Sequence, residues 1–241
     1  MPDAANSTPL LEVRHLSVIL QKKRVLRDLS LTCLPHQIVA IVGIEGAGKT
    51  TLLKALGGLQ RPVAGRILFA GEPVETLPAW EIVRRGLVYV PEGMRVFPEM
   101  TVLENLEVGA YLVRRELKTG LDRVCRIFPE LQDRLRRPAG ILSGGQQRMV
   151  TLARGLMSAP RLLMLDEPFM GLSPKLVQRF CDSFRDLRQA GVTLLISGQL
   201  MQRVLNVAEK AYLQERGRIT FAGTGPHLLQ DPHLQEIILP V

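Results

Sequence analysis

Aromatic side chains are scarce, with one Trp, three Tyr and seven Phe in 241 residues. The chain therefore has no run of aromatic side chains on which single-stranded nucleic acid could stack. Cysteine is scarcer still. Cys33, Cys125 and Cys181 have no metal-ligand spacing and leave one over from any pairing, so buried reduced thiols in a cytosolic protein are expected. No apolar run approaches the roughly 20 residues of a membrane helix. The opening MPDAANSTPLLE lacks a basic flank and an apolar core, which argues against a signal peptide and makes residues 1–9 a frayed arm. Internal repeats and low-complexity stretches are also missing. What remains, 46% hydrophobic and 22% charged, is an ordinary globular composition, long enough for one sizeable core.

Charge is the one bulk property that stands out. Between Arg84 and Arg161 there are 14 Lys/Arg against 8 Asp/Glu, so this segment carries +6 of the net +8. The basic residues are interleaved with acids and lie among apolar positions of helical spacing. A solvated helical face is the simplest reading, with anionic lipid headgroups or an acidic partner loop as the alternative.

Strands come first along the chain: LLEVRHLSVIL, LSLTCL, and then QIVAIVG running into a glycine loop. From Lys49 the spacing turns helical and closes at Gly57-Gly58. GRILFAG reads as a strand and turn, LPAWEIVRRG as a short helix, and LVYVPE as a buried strand. Residues 101–137 read as helix after helix, opened by Thr101 and Glu104 as a capping box and broken at Pro138–Gly140, with a further helix just past Gly145. RLLMLDE and VTLLIS are buried strands on either side of the helix PKLVQRFCDSFRDLRQAG. The tail reads as a helix, a strand pair and two short helices around DPHLQ. Apolar strands alternating with helices predict a mainly parallel α/β sheet, preceded by antiparallel strands. The expected organisation is one domain over 10–241, its core formed by 10–92 and 159–241 and interrupted by a helical subdomain over 93–158.

Three motifs carry chemistry. GIEGAGKT, from Gly43 to Thr50, fits G-x-x-x-x-G-K-[ST] between a buried strand and a helix. There Gly46, Ala47 and Gly48 let backbone N–H groups turn onto phosphate oxygens at the positive end of a helix. Lys49 would reach the β- and γ-phosphates, and the Thr50 hydroxyl would sit on Mg²⁺. RLLMLDE places Asp166 to hold Mg²⁺ through water and Glu167 to polarise an attacking water. In LSGGQ, Ser143 and the N–H groups of Gly144 and Gly145 cap a helix and form an anion site aimed away from the chain's own P-loop.

With these motifs in this order, the chain resembles the ATP-binding subunits of ABC transporters over essentially its whole length. YVPEGMRVFPEMTVLENL, DEPFMGLSP and the Gln199 position are more narrowly similar to the second ATP-binding subunit of bacterial branched-chain amino-acid importers. Most members carry Gln where Glu92 stands and His where Gln199 stands, whereas that importer group and its urea and amide relatives carry Glu and Gln. The resemblance implies a P-loop NTPase (RecA-like) core, with ATP and Mg²⁺ as cofactors. It gives phosphate and nucleotide contacts to Gly43, Glu45, Gly46, Ala47, Gly48, Lys49, Thr50, Thr51 and Leu20, and metal contacts to Thr50, Glu92 and Asp166. Glu167, Gln199 and Lys49 are the implied catalytic residues. Leu142, Ser143, Gly144, Gly145 and Gln146 close on the ATP of a second, non-identical cassette. Two membrane permeases and, indirectly, a periplasmic solute-binding protein complete the implied assembly, at the cytoplasmic face of the inner membrane, with no specific nucleic-acid partner.

Departures from the family pattern bear on activity. Leu20 stands where an aromatic residue usually stacks on adenine, losing about 1 kcal/mol. Glu45 brings a carboxylate close to the polyphosphate, which is repulsive unless it faces solvent or a cation. Phe169 and Met170 replace small residues, and Ser197-Gly198 replace an apolar-Glu pair, which is expected to loosen the Gln199 switch. A weaker or regulatory cassette beside an active twin, an importer of urea or short amides, and a soluble nucleic-acid-linked cassette protein are the competing readings.

Overall fold

The computed structural model describes residues 8–93, 95–199 and 201–230. Its N-terminal half contains β1 (Leu11–Leu20), β2 (Lys23–Cys33), β3 (Ile38–Val42), α1 (Lys49–Leu56), β4 (Ala64–Phe69), β5 (Glu72–Pro73), α2 (Ala79–Arg84) and β6 (Leu87–Val90). A helical stretch follows, with α3 (Val102–Gly109), α4 (Leu117–Ile127) and α5 (Gly144–Leu156) separated by short 3₁₀ turns. The chain then returns to alternation through β7 (Leu162–Asp166), α6 (Pro174–Gln189), β8 (Thr193–Gly198), α7 (Met201–Leu205), β9 (Lys210–Glu215), β10 (Arg218–Gly223) and α8 (Gly225–Gln230).

Two sheets result. β2-β1-β4-β5 is wholly antiparallel, while β10-β9-β3-β8-β7-β6 is parallel except where β10 pairs antiparallel with β9. Every residue of β3 and β7 is buried, as strands covered on both faces must be. Side chains alternate between two cores. Ala40, Val42, Leu163, Leu165 and Ile196 face the helical side with α5 and α6, and Val39, Ile41, Leu162, Met164 and Leu195 face α1 and the antiparallel sheet. The two sheets meet at the β9–β10 turn, where Arg27 N–H donates to Gly217 O at 2.9 Å. Gly217 has φ +81, and a Cβ there would sit 1.9 Å from Val25 O, so only glycine fits.

The expected α/β order is present, with local differences. β2 begins at Lys23, well before the LSLTCL run, because its first half is mostly exposed and polar and is held by pairing with β1 rather than by an apolar pattern. Tyr111–Glu116 and Pro129–Arg134 are 3₁₀ turns instead of α-helix, the first interrupted by the non-helical Val113 (φ −131, ψ 37). α5 starts at Gly144, two residues earlier than expected, because Ser143 caps it. The capping box at Thr101 and Glu104 is formed, with Glu104 N donating to Thr101 Oγ1 at 3.2 Å and Thr101 N donating to Glu104 Oε2 at 2.7 Å. The last helix of the tail, beyond Gln230, lies outside the described residues, as does most of the N-terminal arm.

Phe169 fills the space between α6 and the sheet, 5.6 Å from the Phe184 ring, which stands edge-on to Phe180. That burial accounts for a large side chain at this position. Arg179 of α6 grips Glu130 through Nε at 2.6 Å and Nη2 at 3.0 Å, stacking over Phe128 as it does so, and so ties α6 to the helical region.

Candidate nucleotide-binding and hydrolysis site

β3 delivers the chain into the loop Gly43–Thr50, and α1 leaves it. Gly46 and Gly48 adopt φ 75 and 101, the left-handed region in which side chains are strained. A Cβ at Gly43 would lie 2.2 Å from Gln214 O, so β9 packs directly against the loop. Gln214, fully buried on β9, donates Nε2–H to Ala47 O at 3.0 Å, and Gly217 N–H donates to the same carbonyl at 3.0 Å. These bonds draw that carbonyl to the β9 side of the loop. α1 has no acidic residue in its first turn, so nothing of its own opposes an anion at its positive end.

Lys49 is buried, and its Nζ donates to Gly43 O at 2.8 Å and Ile44 O at 3.2 Å while lying 3.4 Å from Glu167 Oε1. β7 ends at Asp166, which is fully buried and held by two hydroxyls. Tyr89 OH donates to Oδ2 at 2.9 Å and Ser197 Oγ to Oδ1 at 2.6 Å. Burial, reinforced by the Asp166 charge, raises the Tyr89 pKa well above the ordinary tyrosine value, so its hydroxyl stays a donor. Among the described residues Asp166 has no cationic partner.

Glu167 takes φ 48, an uncommon backbone state for a side chain other than glycine. Its N–H donates to Ser197 O at 3.2 Å, and its Oε2 accepts from Gln199 N–H at 3.0 Å. Its Oε1 is buried with no hydrogen bond, leaving one carboxylate oxygen for a further donor.

A cleft of about 330 Å³ gathers Leu20, Val25, Glu45, Gly46, Gly48, Lys49, Thr50, Thr51, Glu92, Glu167 and Gln199. Gly43 and Ala47 are buried parts of the same loop, and Asp166 is buried one residue before Glu167. Glu45 and Glu92 are exposed. No three His, Cys, Asp or Glu converge as a ready-made metal cluster among the described residues.

The LSGGQ stretch lies apart from this cleft. Ser143 caps α5 in a second capping box: its Oγ accepts from Gln146 N–H at 3.4 Å, and Gln146 Oε1 accepts from Ser143 N–H at 3.2 Å. Leu142 is buried and anchors the turn, whereas Ser143 and Gly144 are exposed. A Cβ on Gly145 would meet Leu176 at 2.4 Å, so that glycine seats the helix start against α6.

The expected loosening before Gln199 is not what the structure shows. Ser197 and Gly198 close the end of β8 on the carboxylates: Ser197 binds both Asp166 and Glu167, and a Cβ on Gly198 would strike Val204 at 2.5 Å. A hydroxyl in that position adds bonds that an apolar residue could not make. Val25, Tyr89 and Gln214 are the residues the sequence reading missed. Only Gln214, a polar residue directly after the apolar residues 211–213 of β9, left a trace that could have been noticed.

Comparison with known proteins identifies the family. Residues 26–170 match the ABC transporter family. The high-affinity branched-chain amino acid transport ATP-binding protein BraG of Pseudomonas aeruginosa is 38% identical over 231 residues, covering 95% of this chain and 99% of that protein. The lipopolysaccharide export system ATP-binding protein LptB of Escherichia coli K12 is 33% identical, covering 95% of this chain and 96% of that protein. The crystal structure of the ADP conformation of MJ1267, an ATP-binding cassette of an ABC transporter, superposes with a TM-score of 0.88 at 25% identity, covering 96% of this chain and 98% of that one. The chain thus belongs to the ABC transporter family, as an ATP-binding, ATP-hydrolysing subunit of a transporter.

Proposed function

We propose that this subunit powers an importer of branched-chain or other hydrophobic amino acids. It would work from the cytoplasmic face of the inner membrane, paired with a second, non-identical cassette and seated on two permeases that receive cargo from a periplasmic solute-binding protein. Similarity to BraG at 38% and to the probable branched-chain amino acid transport protein LivF of Archaeoglobus fulgidus at 34% supports this cargo class. The 33% similarity to LptB favours a second reading, lipopolysaccharide export. Uptake of labelled leucine into vesicles carrying the assembled complex separates the two. ATP-dependent leucine accumulation is the expected result, and lipopolysaccharide extraction without leucine uptake would sink the import reading.

The observation carrying the hydrolytic role is Glu167 Oε1, buried, free of hydrogen bonds and 3.4 Å from Lys49 Nζ at the wall of the cleft. An attacking water donating to that oxygen would be polarised in place. The Lys49 ammonium, now shared among loop carbonyls, would turn to the β- and γ-phosphates, with Gln199 next to the γ-phosphate. Leu20 and Val25 offer the base an apolar contact.

The residues present fit Mg²⁺. Among the described residues the buried Asp166 carboxylate is compensated by neutral hydroxyls, and the Thr50 hydroxyl and Glu92 line the neighbouring cleft. A cation that keeps waters and phosphate oxygens as ligands needs few protein groups, so a dedicated cluster is unnecessary. When bound, the ion supplies charge neutralisation on the β- and γ-phosphates. Asp166 would orient its water, and Thr50 and Glu92 would complete the shell.

A groove of about 260 Å³ lined by Val83, Val108 and the exposed Tyr111 would offer the permease a place to dock. Glu167→Gln is the central test of hydrolysis. ATP binding should persist while turnover falls by about 10²-fold or more, and unchanged turnover would remove Glu167 from the mechanism. A purely regulatory role is tested by Lys49→Ala in this subunit of the assembled pair. A fall in turnover supports a working site, and an unchanged rate supports regulation.

A further inference from the structure

The arginines of α5 are not explained by nucleotide binding or by packing of an apolar face. Arg148 leaves the helix two residues after the LSGGQ stretch. Its Nη1 donates to Pro168 O at 3.4 Å and to Met170 O, the backbone carbonyls of the turn that follows Glu167. That turn is tight, with Met170 N–H donating back to Glu167 O at 3.3 Å and Glu167 itself at φ 48. Burial lowers the Arg148 pKa, and the charge of the nearby Glu92 carboxylate acts against this.

Six residues further along, about 9 Å up the helix axis, Arg154 makes the matching attachment. It donates to Arg95 O at 2.9 Å and to Asn105 Oδ1 at 3.4 Å and covers the Phe97 ring at 5.0 Å. α5 is thus fastened to the backbone segments that follow both Glu167 and Glu92, while its own N-terminus, Ser143–Gly144, stays open.

We infer that Arg148 is a positioning residue, joining the turn after Glu167 to the signature helix so that closure of Ser143–Gln146 on the partner's triphosphate sets Glu167 in this chain's own cleft. The inference rests on the reading that the signature acts in trans. Arginine suits the task because Nη1 carries two N–H groups held in the guanidinium plane and donates to both carbonyls, a fixed geometry that the freely rotating ammonium of a lysine reproduces only in part. Among the described residues Arg148 bonds to the turn after Glu167 and not to the P-loop, so its loss should act on the rate and not on nucleotide affinity.

The test is ATP turnover against ATP concentration in the assembled cassette pair, with Arg148→Met, Arg148→Lys and Glu167→Gln made in this chain alone. Arg148→Met should lower kcat about tenfold with KM within about twofold, and Arg148→Lys should recover part of the loss. Wild-type kcat in Arg148→Met would overturn the inference. So would a KM rise and a melting-temperature drop that track the kcat loss, which is the pattern of a merely structural residue. Should Arg148→Met not fold, Arg148→Lys decides: a kcat reduced by about threefold supports the role, and a wild-type kcat overturns it. Retained turnover in Glu167→Gln would instead strike the hydrolytic assignment itself, a result distinct from a neutral Arg148→Met beside an inactive Glu167→Gln.

Discussion

At the ends of β7 and β8, buried hydrogen bonds accumulate: Asp166 takes two hydroxyls at 2.6 and 2.9 Å, and Glu167 is held through both its N–H and its Oε2. At the start of α5, the side chains of Ser143 and Gln146 make the reciprocal bonds of a capping box, 3.4 and 3.2 Å, and the neighbouring Ile141 is 69% exposed. The cleft is preorganised by its own chain, at the expense of a strained Glu167 backbone. The signature end is a rigid helix terminus with an open face and an exposed isoleucine beside it. A site that must meet a second surface gains little from internal bonds that the second surface would have to break. On the proposed function, the two regions would divide one reaction: the first would hold the chemistry, and the second would present donors to a triphosphate carried elsewhere.

The contrast can be broken from the cleft side first. Ser197→Ala removes a charge-directed hydrogen bond to Asp166 and should destabilise the fold by about 1.5–3 kcal/mol, read from urea unfolding midpoints. A change under a few tenths of a kcal/mol would mean that Tyr89 alone holds Asp166. Ser143→Ala removes only a cap, at about 1 kcal/mol of stability. Its effect on turnover of the pair should be large relative to that cost, because the hydroxyl faces outward. Leu20→Tyr restores a stacking face for the base and should tighten nucleotide binding by about 1 kcal/mol, or roughly fivefold, in a fluorescence titration. No tightening would mean that the base does not lie against Leu20.

The smallest expected effect is a pH dependence away from both regions. Arg179, chiefly through its hydrogen bonds, holds the Glu130 carboxyl below its ordinary value. A carboxyl whose folded pKa is depressed contributes stability that is complete above its unfolded pKa of about 4.3 and is lost as the pH falls through the lower folded value. Glu130→Gln should flatten the acid limb of the stability profile below about pH 4.3 and leave the nucleotide cleft unaffected. The pair is partly exposed, so the change should be modest.

Most of this contrast was legible in the residues themselves. The P-loop glycines, Lys49 and the strand-ending Asp166-Glu167 are read by spacing, because phosphate chemistry needs those residue types in that local order. LSGGQ is legible for the same reason: a capped helix start is a local structure. What escaped depends on chain segments far apart in sequence. Ser197 looked like a loosening of a switch because its partners, Asp166 and Glu167, lie about thirty residues away and meet it only through the parallel pairing of β7 with β8. Gln214 meets Ala47 across 167 positions. Tyr89 reads as one more apolar strand residue until its hydroxyl is seen on Asp166. The polar first half of β2 was likewise unreadable, since its only cause is the neighbouring strand.

The division of labour between the two regions is tested most directly by a double-mutant cycle in the assembled pair. Ser143→Arg in this chain is combined with replacement of the P-loop lysine of the partner cassette by alanine, and turnover is measured for each single change and for both. If residues 142–146 serve the partner's ATP, the two changes disable one and the same site, and the double variant should be no slower than the worse single. Ser143→Arg with Lys49→Ala in this chain should by contrast disable both sites. Multiplicative losses for the first combination, with full overlap for the second, would contradict the account.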